Sequence, residues 1–272
     1  MIGSFPTLNA RTTEELGQWL TDIDARLADL EAPAPPCPNL IVGSARALAD
    51  AACLARHRVE LVITSVGSPK PVIPILHDAG ALVFADVASL DHARKARDAG
   101  ADGLVLLTAG AGGQTGWLNP LAFVRAVRAE FDGPIILAGG ISDGVALKAA
   151  ITLGCDLAYM GTKFIATHES MATDAYRTML RQSSMDDVIL TSHFSGLPAS
   201  FLMPSIRAAG IAPEELGRPA DERRAISRRG VPGETPKRWK DIWSAGHSVS
   251  GVDAVLSVEE LVARTIAEFE TA

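Results

Sequence analysis

The stretch from Pro134 to Ala166, PIILAGGISDGVALKAAITLGCDLAYMGTKFIA, decides the fold. Its first five residues are a short run rich in branched apolar side chains, closed by Gly139 and Gly140. Val145 to Leu153 carries apolar residues at helical spacing, and Leu157 to Met160 is a second apolar run closed by Gly161 and Thr162. The reading is strand, glycine turn, helix, strand, glycine turn, helix. Two such turns suit a phosphate, because backbone N–H groups approach where no side chain intervenes and helix N-termini add partial positive charge. They suit plain tight turns between strand and helix equally well. Spacing alone leaves both readings open.

Working outward, the same rhythm runs back through the chain. Strands are expected at residues 2–5, 40–42, 61–65, 82–87 and 103–107, and helices at 13–31, 45–57, 72–78, 91–99 and from Pro120 to Phe131. The strands are apolar without alternation, as in a parallel sheet covered on both faces. Seven βα units are one short of a closed (β/α)8 barrel, and the chain begins inside its first visible strand. The expectation is therefore an α/β fold of TIM (β/α)8-barrel type lacking its first βα unit, with the phosphate turns after the last two strands. An open parallel edge exposes unpaired backbone, so a start assigned too late or a neighbouring chain over the gap is favoured. Residues 1–168 form the expected barrel core. Beyond Thr167 the rhythm breaks into a helix near 172–183, a strand at 188–192, irregular chain, and a helix from Ser257 opened by the capping box SVEE. Residues 169–272 are read as a C-terminal helical and irregular lid packed on the barrel.

Composition narrows the function classes. With 272 residues, 47% hydrophobic content and mean hydropathy of +0.18, the chain is a well-buried globular protein. No apolar run approaches the ~20 residues of a spanning helix, and the N-terminus lacks the pattern of a signal peptide. Cys37, Cys53 and Cys155 form neither a metal-ligand pattern nor a disulfide framework, which points to a reducing cytoplasm and no metal. A net charge of −7 argues against nucleic acid as a partner. The basic segment from Arg223 to Lys240 reads as a solvated loop.

Three segments carry a resemblance. GADGLVLLTAGAGGQTG from Gly100, AGGISDGVALKAAITLGCDLAYMGTKFIAT from Ala138 and WKDIWSAGHSVSGVD from Trp239 resemble the nitronate monooxygenase family, whose relatives include flavin-dependent enoyl reductases. The resemblance implies a TIM-barrel flavoprotein that binds FMN at the C-terminal ends of its strands. Gly139, Gly140, Gly161 and Thr162 match positions that hold the FMN phosphate, and Asn39 matches an asparagine that hydrogen-bonds the flavin ring. Gly112 and Gly113, in the loop one unit upstream, join this cofactor set. Asp86, ending a strand at the barrel mouth, joins it as a partner for the flavin pyrimidine or the substrate.

One departure from the family pattern is chemical. Many members carry histidine where this chain has Gln114, and imidazole suits a base toward a neutral nitroalkane. Gln114 accepts no proton but donates a hydrogen bond to a nitro or carbonyl oxygen. His247 stands where many relatives have glutamine, so Gln114 and His247 are taken together as the catalytic pair. The expected activity is oxidation of alkyl nitronates with O2 on FMN. An NAD(P)H-dependent flavin or enoyl reductase, or a non-catalytic FMN-binding relic, is the alternative. A small-molecule substrate, no membrane and a homodimer complete the expectations.

Overall fold

The structure is a computed structural model that describes residues 1–216 and 241–272. The basic stretch from Arg223 to Lys240 thus lies wholly outside the described residues. The elements are β1 (Ser4–Pro6), α1 (Thr13–Leu27), β2 (Cys37–Ile41), α2 (Ala47–Arg56), β3 (Leu61–Ser65), α3 (Ile73–Asp78), β4 (Leu82–Val87), α4 (Leu90–Asp98), β5 (Gly103–Leu107), β6 (Gly113–Gln114) and α5 (Pro120–Arg128). There follow β7 (Ile135–Ala138), α6 (Gly144–Leu153), β8 (Leu157–Tyr159), α7 (Thr162–Ile165), α8 (Asp174–Gln182), β9 (Val188–Thr191), β10 (Ala199–Leu202), α9 (Met203–Ala208) and α10 (Val258–Thr271). Seven strands pair in the order β1-β2-β3-β4-β5-β7-β8, the βα succession read from the sequence. The chain divides into two units, Met1–Leu106 with Phe123–Ile136, and Leu107–Ala122 with Leu137–Ala272.

In the first unit the strands pair in parallel, with Ser4 opposite Cys37, Asn39 opposite Ile63, Leu61 opposite Leu82 and Phe84 opposite Gly103. A Cβ on Gly103 would lie 2.8 Å from the Phe84 ring, which is why a glycine opens this apolar strand. Helices start where small polar residues cap them: Thr12 accepts from the Glu15 N–H and Ser89 from the His92 N–H. Helix α1 ends at Leu27 and not at Glu31, and Ala32 turns to a left-handed φ of 51° ahead of the proline-rich connection. Leu16, Leu20, Leu40, Leu54, Val62, Leu76 and Val83 form the core of this unit. Buried Asp50 ties the β1–α1 connection to α2: it accepts from Thr13 Oγ1 at 2.6 Å and from Arg46, whose guanidinium also reaches the carbonyls of Thr7 and Ala10.

The second unit contains β8, most of the chain after it, and a three-stranded sheet, β6-β10-β9, paired antiparallel. The sequence showed β9 but neither β6 nor β10: two residues of strand carry no period, and ASFL, buried throughout, reads like a loop next to Gly and Pro. Tyr176 stacks on Trp243 with centroids 4.9 Å apart, and Leu180, Leu202 and Val249 pack with them. Ser257 and Glu260 make the expected capping box at the head of α10.

Helix α10 lies directly on α6. A Cβ on Gly144 would fall 2.2 Å from the Phe269 nitrogen and the Thr265 oxygen, and Glu268 accepts from the Gly144 N–H at 3.0 Å. Gly144→Ala therefore forces two backbones apart. Urea denaturation is expected to show a loss of ~1–3 kcal/mol, the usual cost of overpacking, whereas Gly161→Ala, with open space at its Cβ position, is expected to leave stability within ~0.5 kcal/mol.

Candidate functional site

In the second unit the motif glycines divide into two groups by what surrounds them. Gly139, with φ of 126°, is filled by protein: its Cβ position is 2.5 Å from Thr108 Oγ1 and 3.0 Å from the Ala111 nitrogen. The Thr108 hydroxyl is fixed in turn on the Ala138 carbonyl at 2.9 Å. Gly110, Gly112 and Gly246 are equally filled, for the loop after β5 and the tail segment meet there. A Cβ on Gly112 would sit 2.7 Å from the Gly246 nitrogen, and one on Gly246 would sit 2.5 Å from the Gly110 oxygen. Gly140 and Gly161 are different. Both are exposed, and no heavy atom of the described residues lies within 4 Å of either Cβ position.

Thr162 is buried, and its hydroxyl oxygen accepts from the Gly246 N–H at 2.9 Å, which leaves the hydroxyl hydrogen to donate. Helix dipoles add little at these turns. Helix α7 has four residues, and the first turn of α6 already holds two carboxylates, Asp143 on the Ala146 N–H and Glu268 on the Gly144 N–H. Lys163 is buried and its ammonium is turned toward the tail, 3.9 Å from the Cβ position of Gly251, where its charge helps hold Asp253 and Glu268 ionised.

Gln114 and His247 ride on segments that are bonded together. His247 N–H donates to the Gly110 carbonyl at 2.8 Å, and Gly113 N–H donates to Ser244 Oγ at 2.7 Å, whose own hydrogen goes to the Ser200 carbonyl. The Gly110 φ of 89° lets the loop pass under the His247 ring, since a Cβ there would lie 2.7 Å from Nδ1. Gln114 is half-buried in β6, paired with Ala199, while His247 is exposed. Ser244 is a residue sequence reading missed; nothing in SAGHSV marks it as the clamp. His193 stacks edge-on against Phe194 at 4.8 Å, and Phe194 against Phe201 at 5.0 Å, so His193 belongs to an aromatic packing row. Trp117 is 76% exposed.

In the first unit, polar groups collect at the C-terminal ends of β2, β3 and β4. Ser65 Oγ donates to Asn39 Oδ1 at 2.7 Å, and the Asn39 side chain lies near enough to the Asp86 carboxyl to favour its charged form. Ser65 was legible in principle, as the polar end of the apolar run LVITS. Asp86 Oδ1 is shielded from solvent and has no hydrogen-bond partner among the described residues. Burial therefore pushes the Asp86 carboxyl up to about 7, against the opposing pull of the Asn39 side chain. Cys37, on β2, feels the Asp86 charge, and burial pushes its thiol up to about 12.

A sheet of successive βα units with glycine turns after its last two strands defines an α/β protein of the TIM-barrel class. Residues 35–268 match the model of the nitronate monooxygenase family, and the chain belongs to that family. It is 33% identical over 179 residues to a nitronate monooxygenase of Paraburkholderia phytofirmans, covering 61% of this chain and 49% of that one. It is also 33% identical over 148 residues to the (3aS,4S,5R,7aS)-5-hydroxy-7a-methyl-1-oxo-octahydro-1H-indene-4-carboxyl-CoA dehydrogenase of Mycobacterium tuberculosis, covering 53% of this chain and 42% of that one. The chain thus spans about half the length of the curated relatives it matches. Among solved structures, FabK from Thermotoga maritima superposes with a TM-score of 0.78 at 26% identity, over 96% of this chain and 82% of that one. Nitroalkane oxidase from Streptomyces ansochromogenes shares the fold, with a TM-score of 0.71 at 24% identity over 94% of this chain and 86% of that one. Among the described residues no helix is long and apolar enough to cross a membrane.

The raised Asp86 carboxyl has a consequence for stability. Its folded value, about 7, lies above that of the unfolded chain. The folded protein therefore holds a proton the unfolded chain gives up, and stability falls as pH rises toward 7, at up to about 1.4 kcal/mol per unit of difference. Asp86→Asn removes the titration. In thermal melts of the protein without added ligand, the variant is expected to match wild type near pH 4.5 and to exceed it increasingly toward pH 8.

Proposed function

We propose that the chain is an FMN-dependent oxidoreductase that oxidises alkyl nitronates with O2. One observation carries the reading: Gly140 and Gly161, at the ends of consecutive strands, stand exposed with none of the described residues within 4 Å of where a side chain would be. Where Gly110, Gly112, Gly139 and Gly246 are packed against protein, these two, like Gly113, leave backbone open, here to an anion the size of a phosphate. The Thr162 hydroxyl hydrogen adds a donor beside them. The family resemblance assigns the phosphate of FMN to these positions and a hydrogen bond to the flavin ring to Asn39, while Asp86 is read from its place at a strand end. The orphaned Oδ1 of Asp86 fits a ring that brings its own polar groups.

FMN held there by the Gly140 and Gly161 backbone and Thr162 would supply an acceptor for substrate electrons that O2 can reoxidise. The chain's own residues do the rest. Gln114, held by β6, donates its carboxamide N–H to an oxygen of the nitro group and fixes which carbon faces the cofactor. His247, carried on the segment bonded to Gly110, takes the α-proton when the substrate arrives as a neutral nitroalkane. A preformed nitronate needs no such base. A second reading, an NAD(P)H-dependent reductase, is favoured by the likeness to FabK across 82% of that chain and by the donor character of Gln114, which suits an enone oxygen.

Gly161→Val tests the anchor. Its φ of −115° accepts any side chain and the space is open, so folding is unaffected while two methyl groups enter the proposed phosphate position. FMN affinity is expected to fall at least about tenfold, or 1.4 kcal/mol, with an unchanged melting temperature; unchanged affinity removes the anchor. Anaerobic bleaching of the yellow protein separates the two activities: an alkyl nitronate bleaches it under the first reading, NAD(P)H under the second. His247→Ala is expected to slow turnover of neutral nitroalkane by about a hundredfold and to spare turnover of preformed nitronate. Equal losses on both substrates would remove His247 as the base.

A further inference from the structure

Strand β6, which carries Gln114, is two residues long, too short to fix its own position. Hydroxyls on either side of Gln114 set its place instead. Before it, Ser244 Oγ accepts from the Gly113 N–H at 2.7 Å and donates to the Ser200 carbonyl at 2.7 Å. Gly113 and Ser200 stand opposite each other in the pairing of β6 with β10, so this hydroxyl is inserted as a rung between the two strands. After it, the Thr115 N–H donates to the Pro198 carbonyl at 3.1 Å, and the Thr115 hydroxyl donates to the Thr108 carbonyl at 2.7 Å. Gln114 rides between these two pins, opposite Ala199.

The pins differ in origin. Thr115 belongs to the loop it holds, whereas Ser244 lies 131 residues beyond Gly113 and has partners of its own. The Tyr176 hydroxyl donates to the Ser244 carbonyl, and the Tyr176 ring stacks on Trp243 with centroids 4.9 Å apart. The Leu202 N–H donates to the Trp243 carbonyl at 2.8 Å, and the Trp243 N–H donates to Ser205 Oγ at 2.9 Å. On this side β10 is buried along its whole length. On the other side Gly113 has a φ of 69° and open space at its Cβ position. Strand β10 is therefore the fixed member of the pair, and loss of the Ser244 hydroxyl moves Gly113 and with it Gln114.

We propose that Ser244 is a positioning residue that acts through Gln114: its hydroxyl sets the spacing of β6 from β10, and so the reach of the Gln114 carboxamide toward an oxygen of the bound substrate. That this oxygen belongs to a nitro group rests on the nitronate reading, while the placing of Gln114 by Ser244 does not. A hydroxyl suits the task because one atom serves as donor and acceptor. Both capacities are engaged here, so the group has a single orientation. Alanine at this position leaves a buried N–H and a carbonyl facing each other across the vacated space. Closing that space draws Gly113 toward Ser200 and carries Gln114 off its place. A misplacement on the order of 1 Å costs a positioned group up to about a hundredfold in rate.

The first test uses the whole chain without added ligand. Side-chain amide NMR signals of Gln114, assigned by their loss in Gln114→Ala, are expected to be displaced in Ser244→Ala. Tyr176→Phe keeps the ring stack and the Ser244 hydroxyl but releases the Ser244 carbonyl. It is expected to displace the signals less, and it stands in if Ser244→Ala does not fold. Signals unmoved in every variant that folds overturn the proposal. A double-mutant cycle then separates positioning from general structural support. With FMN bound, kcat/KM for an alkyl nitronate is expected to fall about tenfold in Ser244→Ala. Added to Gln114→Ala, the same substitution is expected to cost less than about twofold, because the residue it acts through is gone. An equal fall in both backgrounds overturns action through Gln114. No nitronate turnover by wild type, or Gln114→Ala equal to wild type, counts against the nitronate reading, and the amide signals alone then judge the positioning.

Discussion

Backbone touches backbone at Gly112 and Gly246 with no room for a single carbon between them. Around that contact the second unit is arranged. It brings the Gly246 N–H to the Thr162 hydroxyl, the His247 N–H to the Gly110 carbonyl and Ser244 Oγ to the Gly113 N–H. Each bond joins a loop after a strand to a tail segment far along the chain. A methyl group on Gly110, Gly112 or Gly246 would meet its neighbours at under 3 Å and force them to shift. The open positions at Gly140 and Gly161 matter only because the packed ones hold the surrounding chain still.

The division of the glycines sharpens what a glycine-rich motif says. In the sequence AGG…MGT, all members look alike, and a cofactor role extends to each of them. In the structure, Gly139 and Gly112 are consumed by protein packing, while Gly140 and Gly161 face open space. Sequence spacing reports that side chains are absent. It does not report what occupies the room they leave, because the occupants, Thr108, Ala111 and Gly246, come from other segments.

Much of the fold was nonetheless legible. LVITS, LVFADV and GLVLL became strands over their whole lengths, and the caps at Thr12 and Ser257 act as their residue types dictate. These features are local: a run of branched side chains, or a hydroxyl three residues before a carboxylate. What could not be read depends on distant partners. Strand β6 exists because Ala199 and Ser200 lie beside it, and Asp86 gains its unusual proton affinity from burial that no window of sequence displays. The first unit shows the same lesson with charges, where Asp50 is tolerable in the interior only because Arg46 and Thr13 converge on it.

The tail contacts also set an order of events in time. Gly113 and Ser244 are 131 residues apart, and Thr162 and Gly246 are 84 apart. Closing loops of that length is entropically costly and slow relative to forming the local βα turns. During synthesis the strands are therefore made and paired well before the loop after β5 is fixed. Until residue 247 has left the ribosome, that loop and the Thr162 hydroxyl lack the partners that hold them. A nascent chain thus acquires its sheet early and the contacts between the loop after β5 and the tail late.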